Sequence, residues 1–318
     1  MPSLKPTLSA IGCPMTATPI LQPGQLEPAA GAIAELYLPP AQLFAARARR
    51  FRQLAEGHSL AGYLLFLARL AEWQQNELDH HPDLPIPTPH LLAQCREHAM
   101  PPLAPAGWPR QPQWQEAARR ATDAVNQQLP HKGRQALASL LAADSGWLEA
   151  QADALLRGRM TDLDLAVAPL IGAALQVQWT HLVRQLQPHQ IGRPEHPALC
   201  PVCGSHPVAA VIRAGGTTAQ GLRYLHCVLC GSEWHVVRAT CSQCGSTKGI
   251  DYYGLEGGQA VRAEACSACR SYLKILQQQD AHADPVADDI ASLALDLLMG
   301  EKNYATSGVN LLMILKKG

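Results

Sequence analysis

Eight of the ten cysteines fall into four Cys-x-x-Cys pairs, Cys200/Cys203, Cys227/Cys230, Cys241/Cys244 and Cys266/Cys269, all within 70 residues. Two thiolates three residues apart on a tight turn can face one cation, and two such turns complete a tetrahedral sulfur shell that suits zinc or iron. Gly204, Gly231 and Gly245 follow three of the pairs. Glycine takes positive φ freely, so neighbouring N–H groups can turn toward the sulfurs. Arg270 holds that place in the fourth pair, which predicts a looser or more exposed turn. Regular spacing in a reducing compartment favours metal over disulfides, and no pair opens the helix of a βαβ unit as a thioredoxin-type motif would. Cys13 and Cys95 stand alone and read as unligated. His206, His226 and His235 are surplus once eight thiolates fill two sites.

An internal repeat decides which pairs share a cation. Cys200-Pro-Val-Cys-Gly-Ser leads through a strand, Gly215-Gly216 and a second strand carrying Arg223 to the knuckle at Cys227. Cys241-Ser-Gln-Cys-Gly-Ser leads through a strand, Gly257-Gly258 and a strand carrying Arg262 to the knuckle at Cys266. A duplicated module must close its own site. The spacing therefore assigns Cys200, Cys203, Cys227 and Cys230 to one metal and Cys241, Cys244, Cys266 and Cys269 to the other. Arg223 and Arg262, each four residues before a ligand, are expected to offset their tetrathiolates or reach an anionic partner.

Charge narrows the function. Residues 200–276 hold seven Lys/Arg and four Asp/Glu, but eight thiolates around two divalent ions leave the region slightly negative, which disfavours a nucleic-acid-binding ribbon. Closed four-sulfur sites leave no position for water or substrate. Glu77-Leu-Asp-His80 matches one Glu-x-x-His turn of a di-iron bundle without a second, and reads as exposed polar residues at a helix end. No Walker-type loop or Gly-x-Ser-x-Gly elbow occurs, so no residue is assigned a catalytic role.

The elements around these knuckles are read from periodicity. Lys+Arg and Asp+Glu balance at 26 each, and aromatic content is 5%, so Ala and Leu must supply most of the packing, which favours helices. Helical spacing runs through Leu43–Leu54, Leu60–Leu78 with Ser59 as N-cap, Gln113–Leu129, Arg134–Ala143, Gly146–Leu156, and Leu163–Leu186 with a kink at Pro169. The proline clusters at 1–40 and 82–112 punctuate the chain. Beyond a proline-rich stretch, short β-branched or aromatic runs at Val208–Arg213, Leu222–His226, Glu233–Ala239, Asp251–Leu255, Gln259–Ala265 and Tyr272–Leu276 predict strands. A helix follows, with Ile290, Leu293, Leu297 and Leu298 on one face and Gly300 as C-cap.

The expected fold is α+β. A proline-rich segment (1–39) and an all-helical domain (40–187) are followed by a linker (188–199) and two tandem zinc-ribbon metal modules (200–240 and 241–280). A C-terminal helix and tail (281–318) close the chain. The helical domain is expected to fold without the ribbons. The longest apolar run, Ala166–Leu175, is half of what a bilayer crossing needs, and the N-terminus lacks a secretion signal, so a cytoplasmic protein without membrane insertion is expected. Arg49-Arg50 lies on a helix, as a solvated or partner-facing surface.

Over its last 120 residues or so the chain resembles the bacterial formate dehydrogenase accessory protein FdhE family. The motifs are Cys200-Pro-Val-Cys-Gly-Ser, Gly221-Leu-Arg-Tyr-Leu-His-Cys-Val-Leu-Cys, Glu233-Trp-His-Val-Val-Arg, Tyr272-Leu-Lys-Ile-Leu and Ala287-Asp-Asp-Ile-Ala-Ser-Leu-Ala-Leu-Asp. The family's closing Gly-Tyr and Asn-Pro stand here as Asn303-Tyr304 and Asn310-Leu311. The resemblance implies a non-enzymatic cytoplasmic maturation factor for molybdenum-containing respiratory formate dehydrogenase, acting on its catalytic subunit through rubredoxin-like modules. It also implies two mononuclear irons in the four-cysteine sites, where spacing alone would choose zinc. A redox or electron-transfer role toward that client is the alternative. Trp234 and Arg238 are candidate partner-binding residues, with Trp234 equally able to serve as core over the metal.

Overall fold

A helix rich in Ala and small apolar residues can be enclosed on every side, and α7 (Ala168–Arg184) is: every residue from Ala168 to Thr180 is buried. The computed structural model describes residues 8–10, 33–126, 129, 131–215, 218–256, 260–277 and 282–313. Cys13, Gly216, Gly257, Gly258 and most of the proline-rich segment lie outside these. Around α7 pack α2 (Ala61–Asp79), α4 (Gln113–Val125) and α6 (Ser145–Leu156). Helix α1 (Leu43–Ala55) lies along α2, and α5 (His131–Ala142) against α4.

Three boundaries differ from expectation. Pro169 does not kink a helix begun at Leu163. It sits in the first turn of α7, where its missing N–H costs nothing. The start of α2 is fixed by His58, whose Nδ1 accepts from the Leu60 N–H at 3.0 Å, rather than by Ser59. Within the prolines of 82–112 lies a further helix, α3 (Pro89–Glu97), capped by Thr88 Oγ1, which accepts from the Leu91 N–H at 3.2 Å.

The two ribbon modules form one sheet. Strands β3 (Pro207–Gly215), β4 (Thr218–Cys227) and β5 (Glu233–His235) make the first antiparallel set, and β6 (Ile250–Leu255), β7 (Val261–Cys266) and β8 (Ser271–Gln277) the second. They join through a parallel β3–β8 pairing that places Ala209 opposite Lys274 and Ile212 opposite Gln277. The short strands β1 (Leu8–Ala10) and β2 (Leu36–Tyr37) close the outer edges on β6 and β5, and β9 (Ala305–Thr306) adds to β8.

The tail contains two helices instead of one, α8 (Pro285–Ala291) and α9 (Leu293–Glu301), divided at Ser292. Asp284 caps α8 by accepting from the Val286 and Ala287 N–H groups. The acidic residues of the Ala287–Asp296 motif are ties. Asp288 takes a two-pronged bond from Arg50 of α1, Asp289 accepts from Asn310, and Asp296 accepts from Tyr272 and Lys274 of β8. Gly300, expected as the C-cap, lies inside α9. The left-handed residue that ends α9 is Asn303 at φ 59°, and asparagine is the non-glycine residue that best tolerates this conformation.

One buried cluster runs from Leu43 and Phe44 of α1 through α7 and the first-module cysteines to Leu273 and Leu276 of β8 and Ile290 of α8. The core therefore crosses the 188–199 segment, so the helices do not pack independently of the ribbons. A smaller cluster lies between β7, β8, α9 and Tyr304.

Candidate metal centres

At each knuckle the carbonyl of the first cysteine accepts from the N–H of the residue just after the second, at Gly204, Gly231, Gly245 and Arg270, over 2.8 to 3.2 Å. The three glycines take φ of 71°, 72° and 74°, and Arg270 adopts the same hand at 57°. A serine follows each of these residues. The N–H groups of Cys200, Cys227 and Cys241 donate to the carbonyls of Ser205, Ser232 and Ser246. The arginine turn is tied down by the tail: its guanidinium lies 4.0 Å from the centre of the Tyr304 ring and donates to the Lys302 carbonyl, while its carbonyl accepts from the Ala305 N–H. This turn is exposed, as expected and as Gly245 also is, but it is not loose.

The sulfurs gather in the two expected sets, each with all members within 4.8 Å of one another. In the first, Cys200 and Cys230 approach to 3.6 Å and Cys203 and Cys227 to 3.4 Å. In the second, the Cys241–Cys269 and Cys244–Cys266 separations are both 3.7 Å. Four sulfurs about 2.3 Å from a central cation stand about 3.8 Å apart, so both sets fit a tetrahedral metal. Backbone N–H groups already face sulfur, from Cys230 to Cys227 and from Gln243 to Cys241, each at 3.4 Å. Desolvation pushes the Cys200 and Cys227 thiols up. At Cys203 hydrogen bonds from the other three cysteines and Ser205 outweigh desolvation and pull it down. Holding all four as thiolates in this buried space would call for a cation.

The centres differ in their surroundings. All four cysteines of the first are buried, and α7 reaches them: Gln176 Nε2 donates to the Val228 carbonyl at 2.7 Å while Gln176 Oε1 accepts from Gln74 of α2 at 2.9 Å. The Leu103 N–H donates to the Val202 carbonyl at 2.9 Å, so the loop beyond α3 also holds this knuckle. Gly231 lies so close to α1 that an added Cβ would stand 2.6 Å from Leu43 Cδ2. In the second centre Cys241 and Cys266 are buried, Cys269 is partly exposed and Cys244 is exposed. Sequence reasoning missed Gln74 and Gln176, although amides interrupting apolar helices were a visible signal.

The module arginines are not equivalent. Arg223, 1% exposed, crosses to the second module, where it donates to Glu264 Oε1 at 2.5 Å and to the Thr240 carbonyl at 3.1 Å. Tyr252 completes the group by donating to Glu264 Oε2 at 3.1 Å. Arg262 is partly exposed. Trp234 is a core side chain, 3% exposed, whose Nε1 donates to the Pro197 carbonyl at 2.9 Å, whereas Arg238 is exposed. Trp234 also lines a groove of about 910 Å³ with Leu36, Ile191, Pro194 and Val237. Cys95 is buried away from both centres. Glu77, of the Glu-x-x-His turn, pairs with Arg120.

This is a helical protein carrying two fused ribbon modules, each with a four-cysteine cluster that could hold a metal ion. Three domain families match it in order: FdhE, N-terminal, over residues 33–195; FdhE, central domain, over 199–238; and FdhE, C-terminal domain, over 239–313. The chain belongs to the FdhE family. It is 43% identical over 305 residues to a Protein FdhE homolog of Pseudomonas aeruginosa, covering 92% of this chain and 97% of that one. With a homolog of Stutzerimonas stutzeri the identity is 42% over 296 residues, covering 92% and 97%. The crystal structure of the FdhE protein from Pseudomonas aeruginosa superposes with a TM-score of 0.77 at 40% identity, covering 89% of this chain and all of that one.

Proposed function

We propose that the protein is a non-enzymatic, cytoplasmic maturation factor for molybdenum-containing respiratory formate dehydrogenase that binds its catalytic subunit. The observation that carries this reading is the pair of closed four-sulfur sites in a member of the FdhE family. Such sites organise a surface without offering a substrate an open coordination position. The groove between the 188–201 segment and β5 is the proposed docking face. Its rim includes Val237, 69% exposed, followed by the exposed Arg238, while buried Trp234 forms its wall. Arg238 is one proposed contact, and Trp234 shapes the groove in place of inserting into the client. Val237→Asp and Arg238→Glu should each reduce capture of the catalytic subunit at least about tenfold with metal content and melting temperature unchanged. Undiminished capture by both would reject this face.

We assign iron to both centres, with zinc as the alternative; iron would supply a one-electron couple and zinc none. Charge-transfer bands in the visible spectrum, together with metal analysis, separate the two. The exposed Cys244 supports a second reading, electron transfer to the client through the outer centre. Reversible reduction of that centre in the metal-loaded chain would favour it over a purely structural role.

A further inference from the structure

Removing a cation from a four-sulfur shell by ligand exchange needs two things: an entering ligand must reach the metal, and one cysteine must swing clear as it arrives. The first centre offers neither. None of its cysteines is more than 1% exposed. Both knuckles are gripped from outside the module, the Val202 carbonyl by the Leu103 N–H and the Val228 carbonyl by Gln176, and Thr180 Oγ1 of α7 stands 3.5 Å from the Cys230 carbonyl. A Cβ added at Gly204 would stand 3.1 Å from Pro101 Cγ, and one at Gly231 2.6 Å from Leu43 Cδ2, so neither turn has room to open.

The second centre is divided within itself. Its Cys266–Arg270 knuckle is anchored: the Ser267 N–H donates to the Gly249 carbonyl at 2.8 Å, the Arg270 guanidinium lies on Tyr304, and the Arg270 carbonyl accepts from the Ala305 N–H at 2.9 Å. The Cys241–Gly245 knuckle is held only at its base, where Arg223 donates to the Thr240 carbonyl at 3.1 Å and the Cys241 N–H donates to Ser246. Among the described residues, the backbone hydrogen bonds of Ser242 to Gly245 run only to Cys241, from Gln243 to its sulfur and from Gly245 to its carbonyl. A Cβ added at Gly245 would meet nothing within 4 Å. Cys241 is buried and Cys244 exposed. Exposure and an unsupported turn therefore coincide at Cys244.

We propose that the second centre is a metal-exchange site, whose cation passes to an incoming thiolate that enters at Cys244, while the first centre keeps its own. A thiolate is the soft anionic ligand that a cation chosen by four sulfurs prefers. At the first exchange one metal–sulfur bond forms to the incoming thiolate as the bond to Cys244 breaks; Cys244 leaves as a thiolate and no oxidation state changes. Repetition at the other cysteines frees the cation. The proposal rests on both sets holding a divalent cation, and on neither the docking face nor electron transfer. The full chain, loaded with two equivalents of zinc and checked by metal analysis, tests it with a chromogenic chelator as reporter and glutathione as the entering thiolate. Release should divide into two equal phases, the fast one at least about a hundredfold faster and rising with glutathione concentration, the slow one indifferent to it. Cys203→Ser should keep only the fast phase and Cys244→Ser only the slow one. Limiting iodoacetamide on the unaltered zinc-loaded chain needs no variant, and peptide mapping should find Cys244 labelled first among the eight paired cysteines. First labelling at Cys269, release in a single phase, a fast phase that ignores glutathione, or a fast phase that survives Cys244→Ser would each overturn the proposal. A chain unable to take up two equivalents would reject the metal centres themselves, and the proposal with them.

Discussion

At the scale of the residue, equal ligand sets have unequal consequences. Cys203 is part of the core that α7 closes, whereas Cys244 faces solvent. Both Cys203→Ser and Cys244→Ser should halve the metal content. Only Cys203→Ser should also lower the helical melting transition, by about 10 °C or more, because metal binding there is folding energy for the shared core. Loss of both metals from either variant would refute separate pairwise sites. A second residue sets a pH response. His181 of α7 stacks on His81 with ring centres 4.4 Å apart, and burial, aided by His81, pushes its pKa down from 6.5 to about 4. Below pH 6.5 the unfolded chain takes up a proton that the folded chain refuses, so stability falls as pH drops from 6.5 to about 4. His181→Gln should flatten the decline in melting temperature over that interval.

At the scale of the element, helix ends carry the testable strain. Helix α3 ends in a Schellman turn: the Met100 N–H donates to the Cys95 carbonyl at 2.8 Å, and Ala99 sits at φ 52° where glycine is favoured. Ala99→Gly should stabilise the protein by about 0.5–1 kcal/mol, since relief of left-handed strain exceeds the added chain entropy, and thermal denaturation would register a rise of about 1–2 °C. The same turn in α9 carries Asn303 at φ 59°, where the Tyr304 N–H donates to the Met299 carbonyl at 3.0 Å. At α7 the alternatives inherent in periodicity are settled by packing. A proline soon after an apolar start reads as a kink, but here the helix begins beside it. The Asp164 N–H donates to Gln151 of α6 and its side chain accepts from the Ala166 N–H, so the chain before Pro169 turns instead of coiling.

At the scale of the whole molecule, the shared core makes the helical and ribbon regions interdependent. A fragment ending at Gln187 would expose the faces of α7 and α1 that meet Val228, Gly231 and Leu311. It should lose cooperative melting in circular dichroism, while a chain retaining residues 33–313 keeps it. A sharp transition in the short fragment would mean that the ribbon contacts add little to the core.

The grouping of the cysteines into two sets was legible from sequence because it depends on local turn geometry and on a repeat, both written in short spacing: Cys-x-x-Cys, then glycine or Arg270, then serine. The helices of the N-terminal half other than α3, and six short strands, were legible for the same reason, their periods of about 3.6 and 2 being local. What spacing does not encode is which surfaces meet. The parallel β3–β8 pairing that fuses the modules, the burial of one centre under α7, and the turning of Arg223 away from its own thiolates to Glu264 depend on contacts between distant segments. The repeat made the two modules equal in sequence. Only the tertiary structure made them unequal, because a helix seals one centre from water and leaves the edge of the other open.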